Sequence, residues 1–163
     1  NGLLAEDYFF ARQNPLDNPK LNYFTPKQFI DDRVRRRNFW GHKDEFVFDR
    51  IMASAAKIFR AGGKLGVGGH GNLQGLGYHW ELQAYAMGGL TPHEVLQIAT
   101  RSSAEVIGRL PDIGTLEPGK YADLIIFDKN PLDAIRNTES IEYVMKNGRL
   151  YNGDNLKEVS LKQ

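Results

Sequence analysis

The last third of the sequence contains the pattern that most restricts the fold, an Asn147-Gly148 pair between two runs rich in β-formers. An Asn-Gly pair readily takes the positive φ angles of a type I′ turn, which joins antiparallel strands. We therefore predict a hairpin with strands at 141–146 and 149–152. Upstream, "EPGK" is typical of a type II turn and precedes the apolar run "ADLIIFD", a further predicted strand. Residues 113–163 are thus predicted to form an antiparallel β unit.

The middle of the sequence, residues 44–112, has helical periodicity instead. Apolar side chains recur at i, i+3 and i+4 through "EFVFDRIMASAAKIFRAGG", where Asp44 is placed to cap a helix and Gly62 to end it. The short apolar run at 64–68 predicts a strand. "YHWELQAYAM" and the region after the capping box "TPHE" predict further helices, with a break near Ser102. This order resembles an α/β unit, in which ligands bind where the strands end.

Residues 1–43 differ in composition, because three of the seven prolines lie within "NPLDNPKLNYFTPK". We expect this segment to be irregular and extended. Acidic residues flank a cluster of four arginines, and the mixture predicts an ion-paired, solvated segment rather than a nucleic-acid site. The four are Arg33, Arg35, Arg36 and Arg37.

The overall charge does not indicate a partner, since the chain has 21 basic and 20 acidic residues. No apolar run approaches the roughly 20 residues that span a bilayer. We therefore expect neither nucleic acid nor a membrane as a partner. The chain has no cysteine, which excludes disulfides, thiolate metal sites and cysteine nucleophiles.

The stretch "GKLGVGGHGNLQGLGYHWE", residues 63–81, holds seven glycines together with His70, His79 and Glu81. Glycine is retained where φ must be positive or where a ligand approaches the main chain closely. The stretch is therefore either a loop with a function or an ordinary flexible surface loop.

Three motifs in order resemble the C-terminal end of the amidohydrolase superfamily: "GGLTPHEVLQIATRSSAEVIG", "IGTLEPGKYADLIIFDKNPLDAI" and "VMKNGRLY". The resemblance covers residues 44–153 and is closest to imidazolonepropionase-like and prolidase-like members. "GHGNLQGLGYHWELQAYAMGGLTPHEVL" is similar to a branch of large exported amidohydrolases with TolB-like propeller repeats. The resemblance thus suggests a periplasmic or exported protein.

The fold that this resemblance implies is larger than the chain, because a (β/α)8 barrel needs about 250 residues. We therefore expect an α/β fold: a partial barrel of the last one or two βα units within 44–112, followed by strands of a small composite β-sandwich within 113–163. The expected partners are the remainder of the barrel or a second copy of the chain. A small-molecule or peptide-like substrate is expected as well.

The resemblance also implies site residues. In most members the last barrel strand ends in "GTD", whose aspartate binds metal and handles the proton of the attacking water; the matching place here is "GVGGHG". His70 is the candidate metal ligand and catalytic residue, with a bystander histidine as the alternative, since imidazole ligates Zn²⁺ and acts as a base near neutral pH. His79 is either a substrate contact or a helix-start residue packed near Trp80. Glu81 is a candidate substrate-binding residue, an acceptor that orients a histidine, or a surface glutamate.

The implied function is hydrolysis of a C–N bond in an amide, peptide-like or cyclic-amide substrate by metal-activated water. A divalent metal, Zn²⁺ first, is expected in the complete protein, and this chain alone need bind none. The isolated chain is expected to be inactive, because one histidine falls short of the three or four protein ligands of a Zn²⁺ site. The alternative is a degenerate, non-catalytic hydrolase fold that serves as a binding or interaction module.

Overall fold

The computed structural model describes residues 6, 8–35, 47–69 and 73–160. These residues are mostly helical in the first two thirds of the chain and form strands only in the last third. The α-helices are α1 (Pro19–Phe24), α2 (Lys27–Arg35), α3 (Phe48–Arg60), α4 (Leu76–Met87), α5 (Pro92–Gln97) and α6 (Ser103–Val106). The strands are β1 (Leu124–Phe127), β2 (Ile141–Lys146) and β3 (Arg149–Asn152), and 3-10 helices span Pro15–Asp17 and Ile135–Glu139.

The N-terminal segment is mostly helical where it is described, so the prediction of an irregular, extended 1–43 is wrong for the helical residues. Two Asn-Pro pairs are the reason. Asn14 and Asn18 cap the helices that begin at Pro15 and Pro19, and each side chain accepts a backbone N–H of the first turn, at 3.2 and 2.9 Å. Proline suits the first helical position because the N–H there has no helical partner in any case. The prolines that predicted irregularity therefore begin helices.

Two apolar clusters form the core, and α4 contributes to both. The first cluster joins the N-terminal helices to α3 and α4 and includes Phe9, Leu21, Ile30, Phe48 and Trp80. The second joins α3 and α4 to α5 and to the 3-10 helix before the hairpin, and includes Ala56, Leu82, Val95, Ile98 and Ile135. A helix that is apolar on several sides is a buried one, which explains the central position of α4.

The helix boundaries follow their capping signals in part. The "TPHE" capping box is present: Thr91 Oγ1 accepts the N–H of Glu94 at 3.3 Å, and Glu94 Oε2 accepts the N–H of Thr91 at 2.7 Å. Gly62, with φ of +87°, follows the end of α3 as predicted. Helix α3 begins after Val47 without a side-chain cap, and Asp44 lies outside the described residues.

The predicted helix break near Ser102 is wrong. A π turn at Ile98–Ser102 joins α5 to α6, and the N–H of Ser103 donates to Ile98 O, five residues back. The backbone keeps its hydrogen bonds because the turn widens instead of breaking. π turns of this kind occur often at functional sites.

The hairpin has the predicted boundaries. Strand β2 pairs antiparallel with β3, and Asn147 and Gly148 take φ of +50° and +80° between them. Strand β1 lies on the other side of β2, so the sheet has the antiparallel order β1-β2-β3. Parallel strand pairs are absent from the described part of the chain, and the barrel units and the sandwich stay predictions. Within the same ranges, every helix is too short or too polar to cross a bilayer.

Candidate functional site

The segment 64–69 leads to the glycine-rich loop, and it is not the strand predicted at 64–68. No described strand pairs with it, so side chains take the place of a neighbouring strand. Ser102 Oγ accepts the N–H of Leu65 at 3.3 Å and donates to Leu65 O. Ser103 Oγ accepts the N–H of Val67 at 3.1 Å. The junction of the π turn with α6 thus brings two consecutive hydroxyls to one edge of the segment.

Helix α4 holds the other end of the segment through Glu81. Its carboxylate accepts two consecutive backbone N–H groups, Gly68 to Oε1 at 3.3 Å and Gly69 to Oε2 at 2.8 Å. Gly69 has φ of +57°, and a Cβ there would lie 3.4 Å from Cδ2 of Tyr78. Glu81 therefore binds the main chain immediately before His70.

Two tyrosines flank Glu81 on the same face of α4. Tyr85 donates its hydroxyl to Gly66 O at 3.0 Å, and Tyr78 donates to Ala99 O in the π turn at 3.4 Å. Burial raises the pKa of both phenols, and the charge of Glu81 raises it further. Both tyrosines therefore stay protonated as donors at neutral pH.

His70, the predicted metal ligand and catalytic residue, lies outside the described residues together with Gly71 and Asn72. Its role stays a prediction. The structure describes the backbone that leads to it. Four side chains of α4, the π turn and α6 form hydrogen bonds with that backbone: Glu81, Tyr85, Ser102 and Ser103.

His79 does not lie beside Glu81, because residues two apart on a helix point to opposite sides. Its Nδ1 lies 3.0 Å from Thr138 Oγ1 in the 3-10 helix. Thr138 donates its single hydroxyl proton to Ile135 O at 2.9 Å, and this assigns the proton of the imidazole to Nδ1. Nε2 is then the nitrogen with a lone pair.

Burial, with a smaller contribution from the ammonium of Lys20, lowers the pKa of His79 to about 4. The imidazole is therefore neutral at physiological pH and suits an acceptor role at Nε2. The substrate contact predicted for His79 stays a prediction, at a place separate from the main chain that Glu81 holds.

Polar side chains around His79 join three parts of the chain. Gln83 Nε2 donates to Glu139 Oε1 at 2.9 Å, and Trp80 Nε1 donates to Gln13 Oε1 at 2.6 Å. Burial raises the pKa of Glu139 against the opposing effect of its hydrogen bonds. This face of α4 therefore connects the N-terminal segment to the 3-10 helix before the hairpin.

Sequence reasoning missed Ser102, Ser103 and Thr138. The only signal for the two serines is a Ser-Ser pair inside a helical pattern, where serine hydroxyls commonly bond the backbone. Thr138 has no local signal, because its partner His79 lies 59 residues earlier in the chain.

The metal expectation can be tested against the donor atoms. Among residues 6, 8–35, 47–69 and 73–160, no group of three His, Asp or Glu side chains could hold a metal ion. A Zn²⁺ site takes three or four protein ligands. The described residues therefore do not make up a metal site by themselves.

Comparison with known proteins supports the family resemblance that the order of the motifs indicates. Residues 37–151 match the amidohydrolase family. The chain belongs to that family. The imidazolonepropionase of Shouchella clausii (strain KSM-K16) is 39% identical over 64 residues, which are 37% of this chain and 14% of that enzyme.

Solved structures show the same relationship. The crystal structure of an amidohydrolase is 36% identical with a TM-score of 0.51, covering 62% of this chain and 25% of the other. A Xaa-Pro dipeptidase with methionine bound in its active site is 22% identical, and it shares the fold with a TM-score of 0.60 over 93% of this chain and 34% of its own. The chain spans well under half the length of the relatives it matches.

Proposed function

We propose that this chain is the C-terminal part of a metal-dependent hydrolase that cleaves C–N bonds of amide, peptide-like or cyclic-amide substrates. The observation that carries the proposal is the family match over 37–151, which includes the whole stretch from Leu65 to Glu81. The geometry supports it, since four side chains form hydrogen bonds with the backbone segment that leads to His70. Fold membership alone does not fix the substrate.

His70 is the residue through which this chain contributes to the active site, as metal ligand and as base. A bound divalent metal, Zn²⁺ first, supplies a Lewis acid and an activated water in such enzymes. The described side chains do not form a group that could hold the metal, so we propose that its remaining ligands come from the rest of the complete protein. We also propose a periplasmic or exported location, which the resemblance to exported amidohydrolases supports.

The complete protein that carries this chain provides the test. We would measure its Zn²⁺ content and its turnover of acyl-amino acids, dipeptides and cyclic amides, with His70→Ala against His93→Ala. His93 is the matched control because its side chain is exposed on α5. We expect His70→Ala to lower kcat/KM by about 100-fold or more, the size of a lost general base. Equal rates for both variants would contradict the assignment.

The isolated chain provides a second test. We expect it to show no metal-dependent turnover, since its ligand set is incomplete. Turnover by the purified 163 residues, removed by a chelator and restored by Zn²⁺, would refute the proposal that the active site is shared with the rest of the barrel.

We further propose that the chain associates with the rest of the barrel or with a second copy. Strand β1 lies at the edge of the sheet, and Ile125 and Ile126 on it are 49% and 39% exposed. An apolar edge strand of this kind favours pairing. Sedimentation at micromolar concentration is the measurement, and a monomer with a cooperative melt would contradict the association.

A non-catalytic binding module is the second candidate. It is favoured by one observation, the absence of a carboxylate in "GVGGHG" where most members have "GTD". A complete protein that binds no stoichiometric Zn²⁺ or Mn²⁺ and hydrolyses none of the test substrates would support this candidate against the enzyme.

A further inference from the structure

Glu81 occupies an unusual position for a helix glutamate in the middle of α4. Each of its two carboxylate oxygens accepts a different backbone N–H, and the two N–H groups belong to consecutive residues, Gly68 and Gly69. Hydrogen bonds donated to a charged acceptor are stronger than those between neutral groups. The carboxylate therefore restrains two successive peptide units from one side.

The restraint acts where the backbone has an unusual conformation. Gly69 has φ of +57°, in the left-handed region that residues with a Cβ rarely adopt, and a Cβ there would lie 3.4 Å from the ring of Tyr78. Tyr85 adds a third fixed point, since its hydroxyl donates to Gly66 O at 3.0 Å. Contacts from one rigid helix thus reach three of the last four residues before His70.

We propose that Glu81 is a positioning residue, whose carboxylate sets the direction in which the main chain leaves Gly69 for the predicted catalytic residue. The assignment deepens the proposed function and rests on it. It differs from the predicted substrate contact, because both oxygens of Glu81 already bond to the main chain. Removal of such a group acts through His70 and leaves the substrate-binding surface in place.

The experiment compares Glu81→Gln with Glu105→Gln. Glu105 is the matched control: it lies on α6, and its carboxylate pairs with the Lys64 ammonium at 2.9 Å at the opposite end of the same segment. Both variants remove one negative charge beside the segment, and only Glu81→Gln disturbs the backbone bonds, because an amide nitrogen cannot accept an N–H.

The first measurement uses the 163-residue chain and is independent of activity. Amide hydrogen exchange of Gly68 and Gly69, followed by NMR, is expected to accelerate by about 10-fold or more in Glu81→Gln and to stay unchanged in Glu105→Gln, as expected for the loss of a charge-assisted bond. Unchanged protection of both glycines in Glu81→Gln would overturn the proposal.

The second measurement uses the complete protein. We expect Glu81→Gln to lower kcat by roughly 10- to 100-fold, the usual effect of losing a group that orients a catalytic ligand, with substrate KM within about twofold. A rise in KM at constant kcat would overturn the positioning role and return Glu81 to the substrate contacts. If kcat in the same assay does not depend on His70, the proposed function fails, while the amide-exchange result still decides whether Glu81 restrains the glycines.

Discussion

The segment 64–69 and the hairpin 141–152 both have strand-like sequences, and only the hairpin forms strands. The strands of the hairpin are joined by a two-residue turn, so each finds its partner at once in the chain. Segment 64–69 has no such neighbour among the described residues, and serine, tyrosine and glutamate side chains bond its backbone instead. A strand-like sequence therefore favours an extended backbone with free hydrogen-bonding groups. The neighbouring elements decide whether another strand or side chains form hydrogen bonds with those groups.

Acid is expected to have the largest effect, and it acts where α4 meets the 3-10 helix before the hairpin. The pKa of His79 is 6.5 in the unfolded chain and about 4 in the folded one. Between pH 4 and 6.5 the unfolded state therefore binds more protons than the folded state. The free energy of unfolding has its full value above pH 6.5 and falls as the pH drops towards 4. At about 1.4 kcal/mol per unit, the loss from this group is about 3 kcal/mol.

The measurement is urea unfolding of the wild type and His79→Gln from pH 7.5 to 4, with His93→Gln as the control. His79→Gln is expected to flatten the profile, while His93→Gln keeps it. If the two variants have the same pH profile, His79 is not the buried group that titrates.

A glycine pair compares the two regions directly. A Cβ on Gly153, which follows β3, would lie 2.5 Å from Ile141 O and 2.8 Å from Glu142 O, both of them backbone atoms. Gly153→Ala must therefore push β3 away from β2 and should cost about 2 kcal/mol, as overpacking does. A Cβ on Gly66 would lie 3.4 Å from Ser103 Oγ and 3.7 Å from Ser103 Cα, which is ordinary van der Waals contact, so Gly66→Ala should cost well under half as much. Thermal unfolding of both variants is the measurement, and equal losses would contradict the distinction.

The hydroxyl of Ser102 in the π turn provides a smaller test. Ser102→Ala removes the donor and the acceptor that Leu65 bonds to, at a buried position, and should destabilise the fold by about 1 to 2 kcal/mol. Ser54→Ala is the control, because Ser54 is exposed on α3 and bonds only within its own helix. A Ser102→Ala protein as stable as Ser54→Ala would show that the segment does not depend on this bond.

The smallest effect is expected for the Lys64–Glu105 pair, 2.9 Å apart and more than a third exposed on both sides. Exposed ion pairs contribute roughly 0 to 1 kcal/mol and weaken with salt. Lys64→Met should change the free energy of unfolding by less than about 0.5 kcal/mol, with no difference from wild type in 1 M NaCl. A larger loss of stability that persists in 1 M NaCl would contradict this expectation and show that the side chain of Lys64 helps to hold the segment in place.

Local signals account for what the sequence could predict. The Asn147-Gly148 turn and the capping box from Thr91 to Glu94 involve only neighbours in the chain, and both are present as expected. The N-terminal helices were missed although their signal is also local, because Asn14-Pro15 marks a loop in one context and a capped helix in another. The residues of the π turn are of types that also occur in ordinary α-helices, so the sequence pattern does not distinguish the two.

The candidate site was predictable only as a set of residues. The spacing of His79 and Glu81 implies opposite faces of a helix, but not that one side chain bonds Gly69 and the other bonds Thr138. Thr138 is distant in sequence, and the partner of Glu81 is a main-chain N–H, which every residue other than proline has. Neither partner can therefore be recognised from the sequence. The same applies to Ser103, whose partner Val67 lies 36 residues earlier.

The contact of Lys20 with the end of the chain has a consequence for synthesis. The Lys20 ammonium donates to Ile141 O and lies 3.2 Å from Asp154 Oδ1, so residues more than 120 positions apart meet. Closing so long a loop slows folding. On the ribosome, helix α1 is made before the hairpin, so this contact forms only after the hairpin has left the exit tunnel. A chaperone that binds the nascent protein would therefore meet the N-terminal helices before the hairpin can hold them.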